Sequence, residues 1–428
     1  MTPPIPKSID DIAATLEGYD PQALSVQQAG DFLSQLVTPL PSDQAETLPL
    51  PQALDRFLIE DVISPISVPP HNNSAMDGYA FNGSQLTVDA ALTLRIVGTA
   101  LAGKAWQGHV KMGECLKVMT GAILPEALDT VVPLELTSVE GDWVRIPTST
   151  VQAGDNRRLC GEDLMQGQPA LRAGARLSPA ALGLIASLGL PTVRVQRRLR
   201  VAYFSTGDEV LSLGQAPREG AIYDSNRYTV FGLLTRLGCE VVDLGVVPDD
   251  PALLQAAFTR AASEADAIIT SGGVSVGEAD FTKAMMKHLG DVTFWKIAMR
   301  PGRPMAVGRI GPAVLFGLPG NPVAVMVTFL TFVRPALLRM MGSTMSPPPL
   351  LKAKSQELLR KKPGRTEYQR GWVSRSDDGT LQVHTTGTQG SGVLRSMVEA
   401  NGLIVLHHHQ GNVAIGDEVE VMLFEGVI

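Results

Sequence analysis

Cysteine is scarce. Cys115, Cys160 and Cys239 are the only three in 428 residues, and no two form a CxxC pair. An odd, widely spaced set supports neither a disulfide framework nor a zinc ribbon, and it fits a reducing cytoplasm. Positive charge is also in short supply. Lys and Arg number 36 against 43 Asp and Glu, for a net charge of −7. The basic footprint of a nucleic-acid binder is therefore missing overall. Any anionic ligand must be met by a local group of cations and backbone amides. No uninterrupted apolar run reaches the roughly 18 residues of a membrane span, so no membrane partner is expected. The start, MTPPIPKSIDD, has neither the basic nor the apolar region of a secretory signal. What is present is core-forming. Hydrophobic residues make up 44% of the chain, which excludes a disordered protein. At roughly 100–200 residues per domain, the length predicts two to four domains.

Residues 1–22 carry prolines and little pattern, and they read as a loosely held extension. LSVQQAGDFLSQLV then has helical spacing, as does LPQALDRFLIEDVI. In SPISVPPHNNSAMDGYAF the prolines exclude a helix and the polar run predicts an exposed loop. Short strands follow to about 149. SPAALGLIASLG reads as a helix with Ser178 as N-cap, Pro179 in its first turn and Gly189 as its stop. Residues 199–343 alternate strands with helices, which predicts a doubly wound, mostly parallel α/β sheet with its ligand site beyond the carboxyl ends of the strands. From about 350 short strands return and predict a small β-barrel. The expected organisation is an extension (1–22), a discontinuous linker and dimerisation domain (23–65 and 150–198), an inserted β-rich domain (66–149), the α/β domain (199–343) and a C-terminal β domain (344–428).

Four stretches carry candidate chemistry. In IITSGGVSVGEADFTK, Gly272, Gly273 and Gly277 let backbone amides approach a ligand at a helix start, a ready anion site. The spacing is neither GxGxxG nor a Walker A loop. Asp280, directly before the helix, is either its N-cap or a ligand carboxylate. A Mg²⁺ ion shared with a phosphate would reconcile carboxylate and anion. In FWKIAMRPGRPMAVG, the order Arg300-Pro301-Gly302-Arg303 predicts a type II turn. Lys296, Arg300 and Arg303 then form an oxyanion clamp or a solvated turn that meets nearby acids. In LFGLPGNP, Asn321 and Pro322 fit a helix start after the Pro319-Gly320 turn. In NNSAMDGYAF, Asp77-Gly78 is either a plain turn or a carboxylate in a partly buried pocket with Met76 and Tyr79. STGDEV follows the first strand of the α/β block. In VVPDDP, Asp250 reads as an N-cap and leaves Asp249 outside the cap. His407, His408 and His409 would alternate faces in a strand, so they read as surface residues and not as a metal site.

Together, NSAMDGYA, MTGA, GED, STGDE, IYDSNR, SGGVSVGEAD, FWK, RPGRP, GLPGNP, GRTEYQRG and TTGTQGS resemble the molybdopterin molybdenumtransferase (MoeA) family, which includes the E domain of gephyrin. The resemblance runs from about residue 24 to 425. It implies a homodimeric enzyme of molybdenum cofactor biosynthesis that moves molybdenum from molybdate onto adenylylated molybdopterin and releases AMP with Mg²⁺. It implies roles for Asp77, Glu209, Asp249, Asp280, Lys296 and Arg300 in catalysis, with Asp280, Asp249 and Glu209 toward Mg²⁺. It implies substrate contacts at Thr120, Asp163, Ser271, Gly272, Gly273, Ser275, Gly277, Arg303, Pro319, Gly320, Asn321, Pro322, Arg370 and Ser391. Arg300 and Arg303 stand where members of the family carry lysine, and His71-Asn72 replace an apolar residue and an acid. The implied partners are a molybdopterin adenylyltransferase and the molybdoenzymes that accept the cofactor. The alternatives are an adenylyltransferase, which lacks NSAMDGYA and the C-terminal β domain, and a non-catalytic scaffold like gephyrin.

Overall fold

A computed structural model describes residues 7–274 and 281–425. Its centre is a six-stranded sheet. Helix α1 (Val26–Leu36) precedes the sheet in the chain. The sheet block then runs β1 (Arg200–Thr206), α2 (Ser225–Leu237), β2 (Glu240–Val247), α3 (Pro251–Glu264), β3 (Ala267–Ser271), α4 (Phe281–Leu289), β4 (Gly290–Lys296), β5 (Pro304–Ile310), β6 (Ala313–Leu318) and α5 (Pro322–Thr328). The strand order is β2-β1-β3-β6-β5-β4. Only β5 runs against the others. Alternate side chains feed two cores, as the pleat requires. Val201, Tyr203, Ile269 and Phe316 join the core with α1, α2 and α5. Ala202, Phe204, Ile268 and Leu315 join the core with α3 and α4. The expected doubly wound arrangement follows from these buried runs.

The helices start where the sequence supplies caps. Asp224 accepts from the Arg227 amide, and Asp250 from those of Ala252 and Leu253. Ser178 accepts from Ala181, and Gly189 takes a φ of +74° just past that helix. At α5 the Asn321 side chain caps nothing; the Val323 N–H donates instead to the Ser391 carbonyl. Helical structure continues from α5 through a π turn to Met340, with Pro335 just beyond that turn. Proline has no N–H to continue the ladder. Pro322–Met340 is long and apolar enough to cross a membrane, a length the interrupted sequence run did not suggest. Its apolarity is spent on the central core, which holds Phe329, Phe332, Val333 and Leu337.

Three segments depart from expectation. Residues 7–22 are not loosely held. Ser8 and Asp11 form a capping box on helix Ile9–Thr15, and Ile12 is fully buried. LPQALDRFLIEDVI is not a helix; it is a 3₁₀ turn, Leu50–Gln52, followed by extended chain. Long-range pairing wins there: the Leu58 N–H donates to Ala175 O, and the buried Arg56 guanidinium reaches Gln196 O and Glu46. The stretch after Asp77 is not loop but a fully buried strand, Gly78–Phe81. A β-carbon on Gly78 would stand 2.0 Å from Val132 O, so this glycine serves strand packing and not a turn.

That strand lies inside a second six-stranded sheet, with Thr130–Pro133 on one side and Glu114–Val118, Leu92–Ala100, Trp143–Ile146 and Ser138–Glu140 on the other. The chain enters and leaves this unit side by side, since Asn73–Ser74 pairs with Arg157–Arg158. The C-terminal region is a closed five-stranded barrel: Thr366–Arg375, Leu381–Thr385, Leu351–Ser355, Glu418–Leu423 and Gly402–Leu406 pair in a ring. The three histidines follow its strand Gly402–Leu406, and His407 Nε2 pairs with Glu420.

Phe32 on α1 ties the N-terminal helices to the sheet. Its ring stacks on Tyr19 at 5.7 Å and meets Trp295 edge-on at 5.1 Å. Phe32→Ala should destabilise the α/β domain by about 3–5 kcal/mol. Chemical denaturation followed by far-UV circular dichroism measures this; a midpoint equal to wild type would refute the packing role.

Candidate active site

The carboxyl ends of β1, β2, β3, β4 and β6 share one edge, and most of the candidate residues sit there. Asp208 and Glu209 follow β1, Asp249 follows β2, Gly272 and Gly273 follow β3, Lys296 ends β4, and Pro319, Gly320 and Asn321 follow β6. Gly272 has a φ of +98°, and a β-carbon there would lie 2.6 Å from Thr206 O. Only glycine fits this conformation and this approach. Ser275, Gly277 and Asp280 lie outside the described residues.

Charge is divided along the edge. At one end the Asp249 amide donates to the Asp208 carboxylate at 3.2 Å, with Glu209 one residue on and exposed. Among the described residues, no three His, Cys, Asp or Glu side chains converge as a metal site. Mg²⁺, however, keeps several waters and needs only one or two protein carboxylates beside substrate phosphates. Asp208, Glu209 and Asp249 fit that use.

At the other end Lys296, Arg300 and Arg303 lie on the β4–β5 connection, where Gly302 has the positive φ, +97°, expected of the turn. Pro301 follows a cis bond. Arg300 and Arg303 are exposed. Among the described residues none of the three side chains pairs with an acid, so the charges are not consumed in salt bridges. Five strand spacings of about 4.8 Å separate β2 from β4, so the acidic and basic ends stand about 24 Å apart. One small ion cannot touch both; an extended anionic ligand can.

Arg370 is placed differently from a surface ligand contact. It is 1% exposed, and its guanidinium donates to Ser396 Oγ, Thr388 O and Gly390 O. Burial, followed by the nearby Arg300 charge, pulls its pKa down to about 10, so it stays protonated at neutral pH. It thereby shapes the loop that carries Ser391, whose Oγ accepts from Asn321 Nδ2 at 3.0 Å.

The inserted sheet carries a second group. Asp77 Oδ1 accepts from the Thr120 amide at 2.6 Å and from its hydroxyl at 2.7 Å. The amide bond, then the hydroxyl bond, hold the exposed Asp77 carboxyl below the usual range. Ser74 and Gly121 are joined through their main chains, and Cys160 N–H donates to Asn72 Oδ1 beside exposed Asp163. NSAMDGYA, MTGA and GED, far apart in sequence, therefore meet here.

Sequence reasoning gave no role to two residues of IYDSNR. Asp224 is 4% exposed and accepts from Ser205 Oγ, which also meets Tyr203 OH. Asn226 Nδ2 donates to Ser271 Oγ and to Gly320 O, each at 2.7 Å. Among the described residues, Asn226 Oδ1 and Thr206 Oγ1 are buried without a hydrogen-bond partner. Leaving such an atom unmatched costs about 1–3 kcal/mol. The available signal was two short polar residues opening a helix at the ligand edge. Cys115 and Cys239 are buried, which pushes their thiols up to about 12 and makes them poor nucleophiles.

Comparison with known proteins identifies the family to which this fold belongs. Residues 202–339 match a probable molybdopterin binding domain, which sets the class. Residues 24–189 match the MoeA N-terminal region (domain I and II), and 352–424 match the MoeA C-terminal region (domain IV). A molybdopterin molybdenumtransferase of Haemophilus influenzae is 42% identical over 95% of this chain and 100% of its own length. One from Nostoc sp. is 34% identical over 95% of each chain. The crystal structure of a molybdopterin biosynthesis moeA protein from Pyrococcus horikoshii superposes with a TM-score of 0.80 at 25% identity, covering 94% of this chain and 100% of that one. The chain belongs to the MoeA family.

Asp224 supplies a pH test. Burial raises its pKa, so the folded state binds its proton more tightly than the unfolded chain does. Its contribution to stability is full below the unfolded value, about 3.9, and is lost as pH rises through the raised folded value. Asp224→Asn keeps a capping oxygen and should remove that loss, so its stability should gain on wild type as pH rises from about 3 to 7. Urea midpoints across this range test it; a constant difference between the two proteins would reject the assignment.

Proposed function

We propose that this chain is a molybdopterin molybdenumtransferase that inserts molybdenum from molybdate into adenylylated molybdopterin, with Mg²⁺-dependent release of AMP. The observation that carries the reading is the division of charge along one sheet edge. Carboxylates lie at one end, cations with no acid partner among the described residues at the other, and glycine and proline loops between them. An elongated substrate with a pyrophosphate and a separate phosphate and dithiolene end matches that pattern.

Lys296, Arg300 and Arg303 hold the oxyanion, either molybdate or the pterin phosphate, and neutralise its charge. Asp208, Glu209 and Asp249 would hold Mg²⁺ together with the pyrophosphate, and Asp280 by resemblance adds to them. When bound, Mg²⁺ supplies charge neutralisation on the phosphates. Asp77, kept ionised by Thr120, acts from the inserted sheet on the far side of the cleft, and the partner subunit of a homodimer is the proposed source of that side. With two thiols suppressed by burial and no activated nucleophile among the described residues, catalysis in this reading rests on positioning and electrostatics. We place the protein in the cytoplasm, upstream of cofactor-accepting molybdoenzymes and downstream of an adenylyltransferase. The adenylyltransferase reading is disfavoured by the inserted sheet and the barrel, and the scaffold reading by the intact charged positions of the edge.

The test is AMP release from adenylylated molybdopterin with Mg²⁺, with and without molybdate. Wild type should release AMP in a molybdate-dependent manner, and Lys296→Ala or Asp77→Ala should slow release about 10²-fold. Binding without release, with molybdate present, would overturn the enzyme reading. Full turnover by either variant would overturn its assigned role.

A further inference from the structure

We propose that Asn226 is a positioning residue that locks the two ligand loops of the α/β domain into one unit; the catalytic readout of this proposal rests on the function proposed above. Asn226 is 9% exposed and lies in the first turn of α2, at the ligand edge. Its carboxamide nitrogen bridges Ser271, which begins the glycine loop after β3, and Gly320, in the turn after β6. These loops belong to neighbouring strands.

The orientation of the amide is fixed chemically. Gly320 O accepts only, so the nitrogen must face it. Ser271 Oγ donates to Pro319 O at 3.3 Å, which leaves its lone pairs for the second Asn226 N–H. Both donors of the carboxamide are therefore used on the loops, while Oδ1 is buried with no partner among the described residues. An isosteric Asp has no donor to give either loop, and a carboxylate there would face the carbonyl of Gly320. The network is anchored from below. Asp224, two residues earlier, caps α2 through Arg227 and accepts from Ser205 at the end of β1. Ser205 pairs with Ser271 across the sheet. The lock thus connects β1, β3 and β6 at the point where their loops open. Asn321 continues the chain of contacts to Ser391 in the C-terminal region, so the lock also sets the platform on which that region docks.

Compare wild type with Asn226→Asp and Asn226→Ala. The first readout is hydrogen exchange in the ligand-free protein and needs no activity. Residues 271–274 and 319–323 should exchange at least tenfold faster in both variants, while the inserted sheet and the barrel stay unchanged. Unchanged exchange in those loops would overturn the lock. Uniformly faster exchange throughout the chain would also overturn it, showing a general stability role. The second readout is the steady-state split in AMP release. A positioning role predicts KM for adenylylated molybdopterin raised about tenfold or more, with KM for molybdate within twofold of wild type because the cations sit on another connection. Equal changes in both would overturn the proposal. Absence of molybdate-dependent AMP release in wild type would instead refute the function, leaving the exchange result to judge Asn226.

Discussion

The main chain from Trp295 to Arg303 is the constraint on which the rest of the site depends. The Lys296 N–H donates to Pro21 O, and the Ala298 N–H to Leu24 O. The Ile297 N–H closes the connection on Arg303 O, and the Thr366 N–H reaches across from the barrel to Ala298 O. Met299–Arg300 also pairs with barrel residues Thr366 and Glu367. One short segment is thus held by the N-terminal chain, the sheet and the barrel at once. Its three cations need this support. Arg300 lies near enough to Arg370 for the two charges to repel, and backbone bonds on both sides of the segment hold it in place against that repulsion.

The same logic shows how an acidic chain can keep a locally positive surface. Overall charge opposes the ligand, but the interaction is local and screened beyond about 8–10 Å at ordinary ionic strength. Among the described residues, cations without an acid partner stand on a firmly held connection and carboxylates stand some 24 Å away, so the two ends of the edge offer opposite electrostatic environments. Asp77 follows the same rule in the inserted sheet: two bonds from one threonine keep its charge and direction fixed.

The sheet, its helices and their caps were legible because each rests on local rules. Buried apolar runs, Asp250 before Pro251 and Ser178 before Pro179 all speak through near neighbours. The misreadings share the opposite cause. LPQALDRFLIEDVI has helical spacing, but Leu58 and Arg56 answer to partners more than a hundred residues away. The helix at Ile9–Thr15 was missed although Ser8 and Asp11 spell its capping box, because the prolines before it dominated the reading. Gly78 looked like a turn residue until Val132 was placed against it. At the site, the charged residues were visible from motif and type. Asn226 was not, because a buried amide that joins two loops has no signature until both loops are in place.

The paired entry and exit of the inserted sheet has a consequence for how such a protein arises. Asn73–Ser74 and Arg157–Arg158 lie side by side, so the intervening chain closes on itself and adds little entropic burden to its host. A folded unit with neighbouring ends can be gained within a loop without disturbing the surrounding fold. Asp77 lies three residues inside that junction. The Asp77 carboxylate and the threonine that fixes it therefore belong to one self-contained unit, whose gain or loss would carry both together.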